Sequence, residues 1–279
     1  MKRLMIILFL LAVCRSSDAV EPERKYSLTP ETLKLNYKDL TLTTSDHYKL
    51  KAWELQPAEK TDKKITIVIA CNGEGNMSDW LYRGGALSKA GYRVLLFDYR
   101  GFGESQDFPM QREQLYYNEF ELDLKAAITH AKKNKKNKLT GVLAISSGSV
   151  TAIRAVQSEP VDFLVFDGAV LDPVLLQKRY FATESRKITL PQDDSSVSLH
   201  YEKLNIPLLI FAGLKDSLTT VADARQIIAQ NPVKRQIQVY DGDHLQSYDV
   251  LTGQVSGDRY IARITSFLAP MNAAGEKKN

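Results

Sequence analysis

The sequence is poor in the residues that staple or metallate a fold: its 279 positions hold two cysteines, two tryptophans and four histidines. Cys14 lies in a leader-like N-terminus, so once that segment is removed only Cys71 remains and no intrachain disulfide can form. The histidines are scattered and, with one cysteine, offer no metal-ligand spacing. Charge of one sign is also scarce: 37 Lys and Arg stand against 33 Asp and Glu, a net +4, which implies no strongly charged partner. The one basic run, Lys132, Lys133, Lys135, Lys136 and Lys138, closes an expected helix and has no aromatic residue among its lysines. It reads as a solvated helix end favoured by the helix dipole, and not as a nucleic-acid patch. A dinucleotide fingerprint is missing too, because Asp98-Tyr-Arg-Gly-Phe-Gly-Glu104 lacks a third glycine and opens no helix. With 44% hydrophobic and 25% charged residues, disorder and fibre are excluded, and the length suits one α/β domain or two small ones.

Long hydrophobic runs are absent apart from residues 4–13, which are too few to span a bilayer comfortably. Lys2 and Arg3 precede that run and Ser17-Asp18-Ala19 follows it, the layout of a secretory signal over residues 1–19 cut before Val20. Export to a periplasm or to the medium is therefore expected, with no stable membrane insertion of the mature chain. Leu11-Ala12-Val13-Cys14 has the outline of a bacterial lipobox, but Val13 is bulky where a small residue is wanted, so lipid anchoring through Cys14 is the lesser alternative. Cleavage lowers the net charge from +4 to +2, since Lys2, Arg3, Arg15 and Asp18 leave together.

Residues 20–36 are polar and punctuated by proline, an arm wrapping the domain. Runs 39–43 and 49–55 form a hairpin about Ser45-Asp46-His47, with His47 exposed in the turn. Continuous apolar runs at 65–70, 92–97, 141–145, 161–166, 208–212 and 236–240 read as strands buried on both faces. Helical signals at 78–90, 120–131, 148–156, 221–229 and 260–268 alternate with them; Phe120, Leu124, Ala127, Ile128 and Ala131 make one apolar face. Such alternation implies a mostly parallel, doubly wound sheet with helices on both faces and the hairpin as its antiparallel edge. The domain is placed at 37–270, with an insertion at 171–205 and a polar tail at 271–279.

Chemistry in such sheets gathers at the carboxyl ends of the strands. Gly141 to Arg154 reads as strand, sharp turn and helix, with Ser146 flanked two residues away by the small Ala144 and Gly148. Ser147, the rival nucleophile, would have Ile145 and Ser149 at those positions, and an isoleucine would clash in the turn. Two later strands end in Gly213-Leu-Lys-Asp216 and Asp241-Gly-Asp-His244, so Ser146, Asp216 and His244 stand in the order of a Ser-Asp-His triad. Serine is a weak nucleophile until the histidine takes its proton, and the carboxylate holds the imidazole in the right tautomer. Taken singly, Asp216 suits a helix cap and His244 a surface turn; their conjunction points to catalysis. Asp172 and Asp243 are rival acids, the second disfavoured because adjacent side chains seldom face each other. Cys71, with no histidine beside it, is expected to be buried and inert.

Asn76-Met-Ser, Asp98-Tyr-Arg-Gly-Phe-Gly-Glu-Ser105, the serine turn, Gly213-Leu-Lys-Asp216 and the late His244 together resemble the α/β-hydrolase superfamily, most closely its Bem46-like serine hydrolases. Residues 42–46 and 50–53 look like that group's opening hairpin, and the likeness covers roughly residues 37–268. It implies an α/β-hydrolase fold, an acyl-enzyme on Ser146, a small-molecule acyl substrate and no cofactor. It also implies an oxyanion hole made by the Ser147 N–H and one N–H after the third strand. There the family's His-Gly-Asn-Ala-Gly is replaced by Cys71-Asn-Gly-Glu-Gly75, and alignment leaves either Gly73 or Glu74 as the second donor. A Glu74 carboxylate would oppose an oxyanion unless it faces solvent or is held by a cation such as Arg83. The superfamily's lid position falls on 171–205, a small cap whose Lys178, Arg179, Tyr180, Phe181 and Tyr201 would line or overhang the pocket. A modest ester or thioester fits such a site; a peptidase or acyltransferase fits the same triad, and a non-catalytic binding protein is the alternative from another class.

Overall fold

The computed structural model describes residues 19–191 and 201–276. The expected leader, its Cys14 and His200 lie outside the described residues, as does part of the cap insertion. One sheet of eight strands organises the rest: β1 Tyr37–Thr43, β2 Lys49–Leu55, β3 Ile65–Ala70, β4 Arg93–Phe97, β5 Leu139–Ile145, β6 Phe163–Asp167, β7 Leu208–Gly213 and β8 Arg235–Tyr240. Their order across the sheet is β1-β2-β4-β3-β5-β6-β7-β8. β2 runs antiparallel to both of its neighbours and all other pairs are parallel. The helices are α1 Leu81–Lys89, α2 Tyr117–Lys132, α3 Gly148–Ala155, α4 Pro173–Glu184, α5 Val221–Ala229, α6 Ser247–Val250 and α7 Asp258–Glu276. α2 packs on α3 and α1 on α7, and right-handed crossovers put these pairs on opposite faces of the sheet. Every residue of β3, β4, β6 and β7 is buried, as continuous apolar runs covered on both faces require.

The five apolar residues of α2 are all buried, and Lys132, Lys133, Lys135 and Lys136 beyond them face solvent. α7 runs past the expected stop at Leu268 to Glu276, so the polar tail is helical over most of its length. Pro270 removes one hydrogen bond to Ser266. Both residues lie on the exposed side, where water can serve the freed carbonyl. Among the described residues no helix is long and apolar enough to cross a membrane.

The arm is more than a wrapper. Ala19 and Val20 are buried, and Glu21–Pro22 pairs in parallel with Glu74–Gly75 in the loop after β3. The Glu21 and Glu23 N–H groups donate to the Gly73 and Gly75 carbonyls at 2.8 and 2.9 Å. Farther along, Tyr26 donates its hydroxyl to Asp98, whose other oxygen accepts the Met77 N–H at 2.7 Å.

The motif after β4 turns its loop with positive φ at Gly101 and Gly103. Arg100 is buried and grips Asp123 through Nε and Nη2 at 2.9 and 2.7 Å, and Asp46 of the hairpin turn through Nη1 and Nη2 at 2.7 and 3.0 Å. Asp123 is fully buried, so removing its partner strands a charge in a medium that cannot solvate it. Arg100→Met is expected to lower the unfolding free energy by about 3–5 kcal/mol, the cost typical of breaking a buried pair from one side. Urea denaturation of the variant and the wild type measures it.

Candidate active site

β5 ends at Ile145 and α3 begins at Gly148, which leaves two residues to reverse the chain. Ser146 takes φ +48°, a left-handed conformation that a side chain adopts only under strain. Its N–H is anchored to the Asp167 carbonyl at 2.8 Å, and its own carbonyl accepts from the Ser149 N–H and hydroxyl at 2.9 and 2.7 Å. The need for a small residue two positions on is steric: a Cβ on Gly148 would lie 2.4 Å from the Ala70 carbonyl oxygen and 2.6 Å from that of Cys71. Ala144, two positions before, lies in β5 paired with Ala70 and Phe166, where a methyl is accommodated.

Ser146 Oγ lies 2.9 Å from His244 Nε2, and His244 Nδ1 lies 2.8 Å from Asp216 Oδ2. Three loops at the carboxyl ends of β5, β7 and β8 thus deliver one hydrogen-bonded chain. Asp216 is not the helix cap its position suggests, since Thr220 is the N-cap of α5; its two oxygens divide the work within the loop before that helix. Oδ1 accepts the Leu218 and Thr219 N–H groups at 2.8 Å each, while Oδ2 faces the imidazole and takes the Thr219 hydroxyl at 2.6 Å. Burial raises the Asp216 pKa, but His244 and Thr219 outweigh it and hold the carboxyl below its ordinary value. Of the rival acids, Asp172 caps α4 through the Val174 N–H at 2.7 Å, and Asp243 is exposed.

Thr219, Asp167 and Ser247 at this site escape the sequence reading. Thr219 Oγ1, besides its bond to Asp216, lies 3.2 Å from His244 Nδ1. Asp167 is fully buried at the end of β6; one carboxylate oxygen takes Arg83 Nη1 and the Ser247 hydroxyl. Arg83 Nη2 in turn donates to the Leu245 carbonyl at 2.6 Å, one residue beyond His244. Trp80, Tyr248 and Tyr260 surround the guanidinium with ring centres 5.2–5.6 Å away. Burial works against the charge of Arg83, yet Asp167 prevails and raises its pKa. The available signal was Asp167 itself, a carboxylate directly following a buried apolar run.

Arg83 is therefore committed to Asp167 and does not hold Glu74. That carboxylate is held by Arg186 of the cap, at 2.8 Å from Nη1 to Oε1. Ser147, Gly73, Glu74 and Tyr180 meet around a cavity of about 10 Å³, space for a single water. Of the expected pocket residues only Tyr180 is at the site. Tyr201 is wholly buried, donates to the Val170 carbonyl at 2.9 Å and packs on Phe166, because its large ring completes the core beneath the cap. Phe181, one residue after Tyr180 on α4, turns outward to a separate open groove beside Lys178 and is 61% exposed. Arg179 is drawn away by Asp223 and the Leu218 carbonyl. Cys71 is buried, which pushes its thiol pKa far up and leaves no thiolate for chemistry. Among the described residues no group of three or more His, Cys, Asp or Glu gathers as a metal site.

Because the Gly148 contacts are with backbone, a methyl there cannot be accommodated by a rotamer change. Gly148→Ala is expected to destabilise the fold by about 1–3 kcal/mol, as overpacking does. A lower midpoint in chemical denaturation checks it.

The sequence profile of the serine aminopeptidase S33 hydrolases matches residues 62–189, somewhat under half of the chain. An uncharacterised membrane protein of Saccharomyces cerevisiae, YNL320W, is 27% identical over 225 residues, covering 75% of this chain and 73% of that one. The uncharacterised protein YfhR of Salmonella typhimurium is 25% identical over 287 residues and covers 95% of each. Among solved structures, the esterase PF2001 of Pyrococcus furiosus superposes with a TM-score of 0.71 at 24% identity, over 90% of this chain and 98% of the other. A thermophilic esterase from Thermogutta terrifontis gives 0.62 at 14% identity, over 84% and 99%. Sheet order, serine turn and these superpositions agree: the chain has the α/β-hydrolase fold.

Proposed function

We propose that the protein is a serine hydrolase that cleaves a small or medium ester or thioester through an acyl-enzyme on Ser146. The observation that carries this reading is the unbroken hydrogen-bonded chain from Ser146 Oγ through His244 to Asp216. His244 Nε2 takes the serine proton as Oγ attacks the acyl carbon, and Asp216 stabilises the imidazolium that forms. The proton then passes to the leaving group, and water repeats the sequence to release the acid. Asp216 suits this role because its carboxyl stays ionised well into acid. The Ser147 N–H and that of Gly73 supply the oxyanion donors, with the Glu74 charge neutralised by Arg186. An accessible cleft beside His244, bordered by Leu218 and Tyr180, favours a compact acyl group over a long lipid chain. The names of the neighbouring structures, esterases from two thermophiles, are in keeping with ester cleavage. Within the superfamily we place the chain with the Bem46-like hydrolases on its hairpin and β4 motif.

A fluorophosphonate probe tests the reading without knowledge of the substrate. Wild type is expected to be labelled and Ser146→Ala to lose both labelling and p-nitrophenyl ester turnover while remaining folded. Since triad members act as a unit, His244→Ala should cost nearly as much as Ser146→Ala, and Asp216→Asn somewhat less. Greater damage from Asp172→Asn would move the acid to that residue. A folded wild type that neither labels nor turns over ester would instead support the binding-protein reading.

We also propose that the protein is exported, on the strength of Lys2, Arg3 and the apolar run that follows. The intact mass of protein recovered from its host is expected to correspond to a chain starting at Val20. A diacylglycerol adduct on Cys14 would establish lipid anchoring in its place.

A further inference from the structure

We propose that Tyr180 is a catalytic residue of this site, its hydroxyl serving with the Ser147 and Gly73 N–H groups as a third donor to the oxyanion. The inference rests on the serine-hydrolase reading above and adds to it a group from the cap, outside the triad and the two backbone donors.

The argument starts from position. The water-sized cavity beside the nucleophile is walled by Ser147 and Gly73 on the core side and by Tyr180 from α4 on the other. Tyr180 also borders the open cleft that contains His244, so it stands between the site where the acyl oxygen charges and the route by which the substrate arrives. Ser147, the residue next to the serine, and His244, which is hydrogen-bonded to Ser146 Oγ, each share a cavity wall with Tyr180, so its ring lies beside the atoms that react.

Charge and protonation favour a donor here. Burial, and after it the Glu74 carboxylate, push the Tyr180 phenol above its ordinary pKa, so it keeps its proton over the whole working range. Arg186 lies over the ring, 5.0 Å from its centre, and simultaneously binds Glu74 Oε1. That guanidinium fixes the ring by a cation–π contact and cancels the one negative charge at the edge of the hole. The alteration that makes the loop after β3 look unsuitable, Glu74 in a glycine-rich turn, is thus matched by two residues of the cap.

In the chemical step the Ser146 Oγ–C bond forms and the serine proton passes to His244 Nε2. The carbonyl π pair moves onto oxygen, which turns into the cavity. Tyr180 donates a hydrogen bond to that oxygen and keeps its proton throughout. When the carbonyl reforms, the bond to the leaving group breaks and the His244 proton goes with it. A donor that binds the charged oxygen more strongly than the ground-state carbonyl lowers the barrier without tightening substrate binding.

Tyr180→Phe deletes the hydroxyl and leaves the ring. On a p-nitrophenyl ester the variant is expected to lose on the order of a hundredfold in kcat/KM, the usual effect of one oxyanion donor. The loss should fall in kcat, with KM nearly unchanged. Affinity for phenylboronic acid, which forms a tetrahedral anion on the serine, should weaken in parallel. The ratio of boronate affinity to substrate KM is independent of the folded fraction, so it remains decisive if the variant is less stable. Wild-type kcat/KM and wild-type boronate affinity in Tyr180→Phe, with Ser146 still labelled by the fluorophosphonate, would overturn the proposal and leave the triad standing. Absence of labelling in the wild-type enzyme would overturn both.

Discussion

Asp167 is the residue on which the geometry of the site converges. Its backbone carbonyl accepts the Ser146 N–H, and its carboxylate binds Arg83 and Ser247, which flank the segment carrying His244. One buried residue at the end of β6 therefore ties the nucleophile's turn to the histidine's loop, across strands that lie far apart in sequence. The ion pair need not stabilise the fold in net terms, because two desolvated charges recover little more than they lose. What it does is make any other arrangement expensive: if either loop shifts, a charge is left buried without its partner. Three aromatic rings around the guanidinium close the same space to water.

A second junction lies on the opposite side of the serine. The arm lies alongside the loop after β3, and the cap reaches the same loop through Arg186 and Glu74. Segments from three distant parts of the chain, at residues 19–23, 72–76 and 180–188, thus share one small volume beside Ser147. None of them belongs to the eight-stranded sheet, and the loop after β3 is bound by both of the others. Substitutions in the arm will for this reason reach the loop after β3 without touching Ser146, Asp216 or His244, through the hydrogen bonds to the Gly73 and Gly75 carbonyls.

Arg100 shows how the same principle is used for architecture. It binds the hairpin turn at Asp46 and the first half of α2 at Asp123, with the Tyr48 ring 4.2 Å from the guanidinium. The conspicuous motif after β4 is thereby a structural clamp, and Gly101 and Gly103 let the backbone turn around it. Its charged residues are taken by partners outside the motif: Asp98 by Tyr26 and Met77, Arg100 by Asp46 and Asp123, and Glu104 by Lys51.

Much of this was legible before any coordinates. Apolar runs bounded by glycine and polar turns locate strands, because a strand covered on both faces admits few polar side chains. The serine turn is legible since its sterics exclude all but small residues at 144 and 148, a constraint local to a few positions. The triad follows from order, as each member sits at the end of an apolar run. The ion pairs around the site were not legible: Arg83 was expected near Glu74, whereas it spans to Asp167 and Leu245, and Arg186 takes the place assigned to it. Likewise Phe181 and Tyr201 carry the composition of pocket residues but face an outer groove and the core. The amino-acid sequence by itself determined strand, helix and the turn at Ser146, because those depend on neighbours within a turn or two. Which charge meets which, and which cap ring turns toward the serine, only the tertiary structure decided: long side chains choose partners by distance in space, and sequence separation carries no record of it.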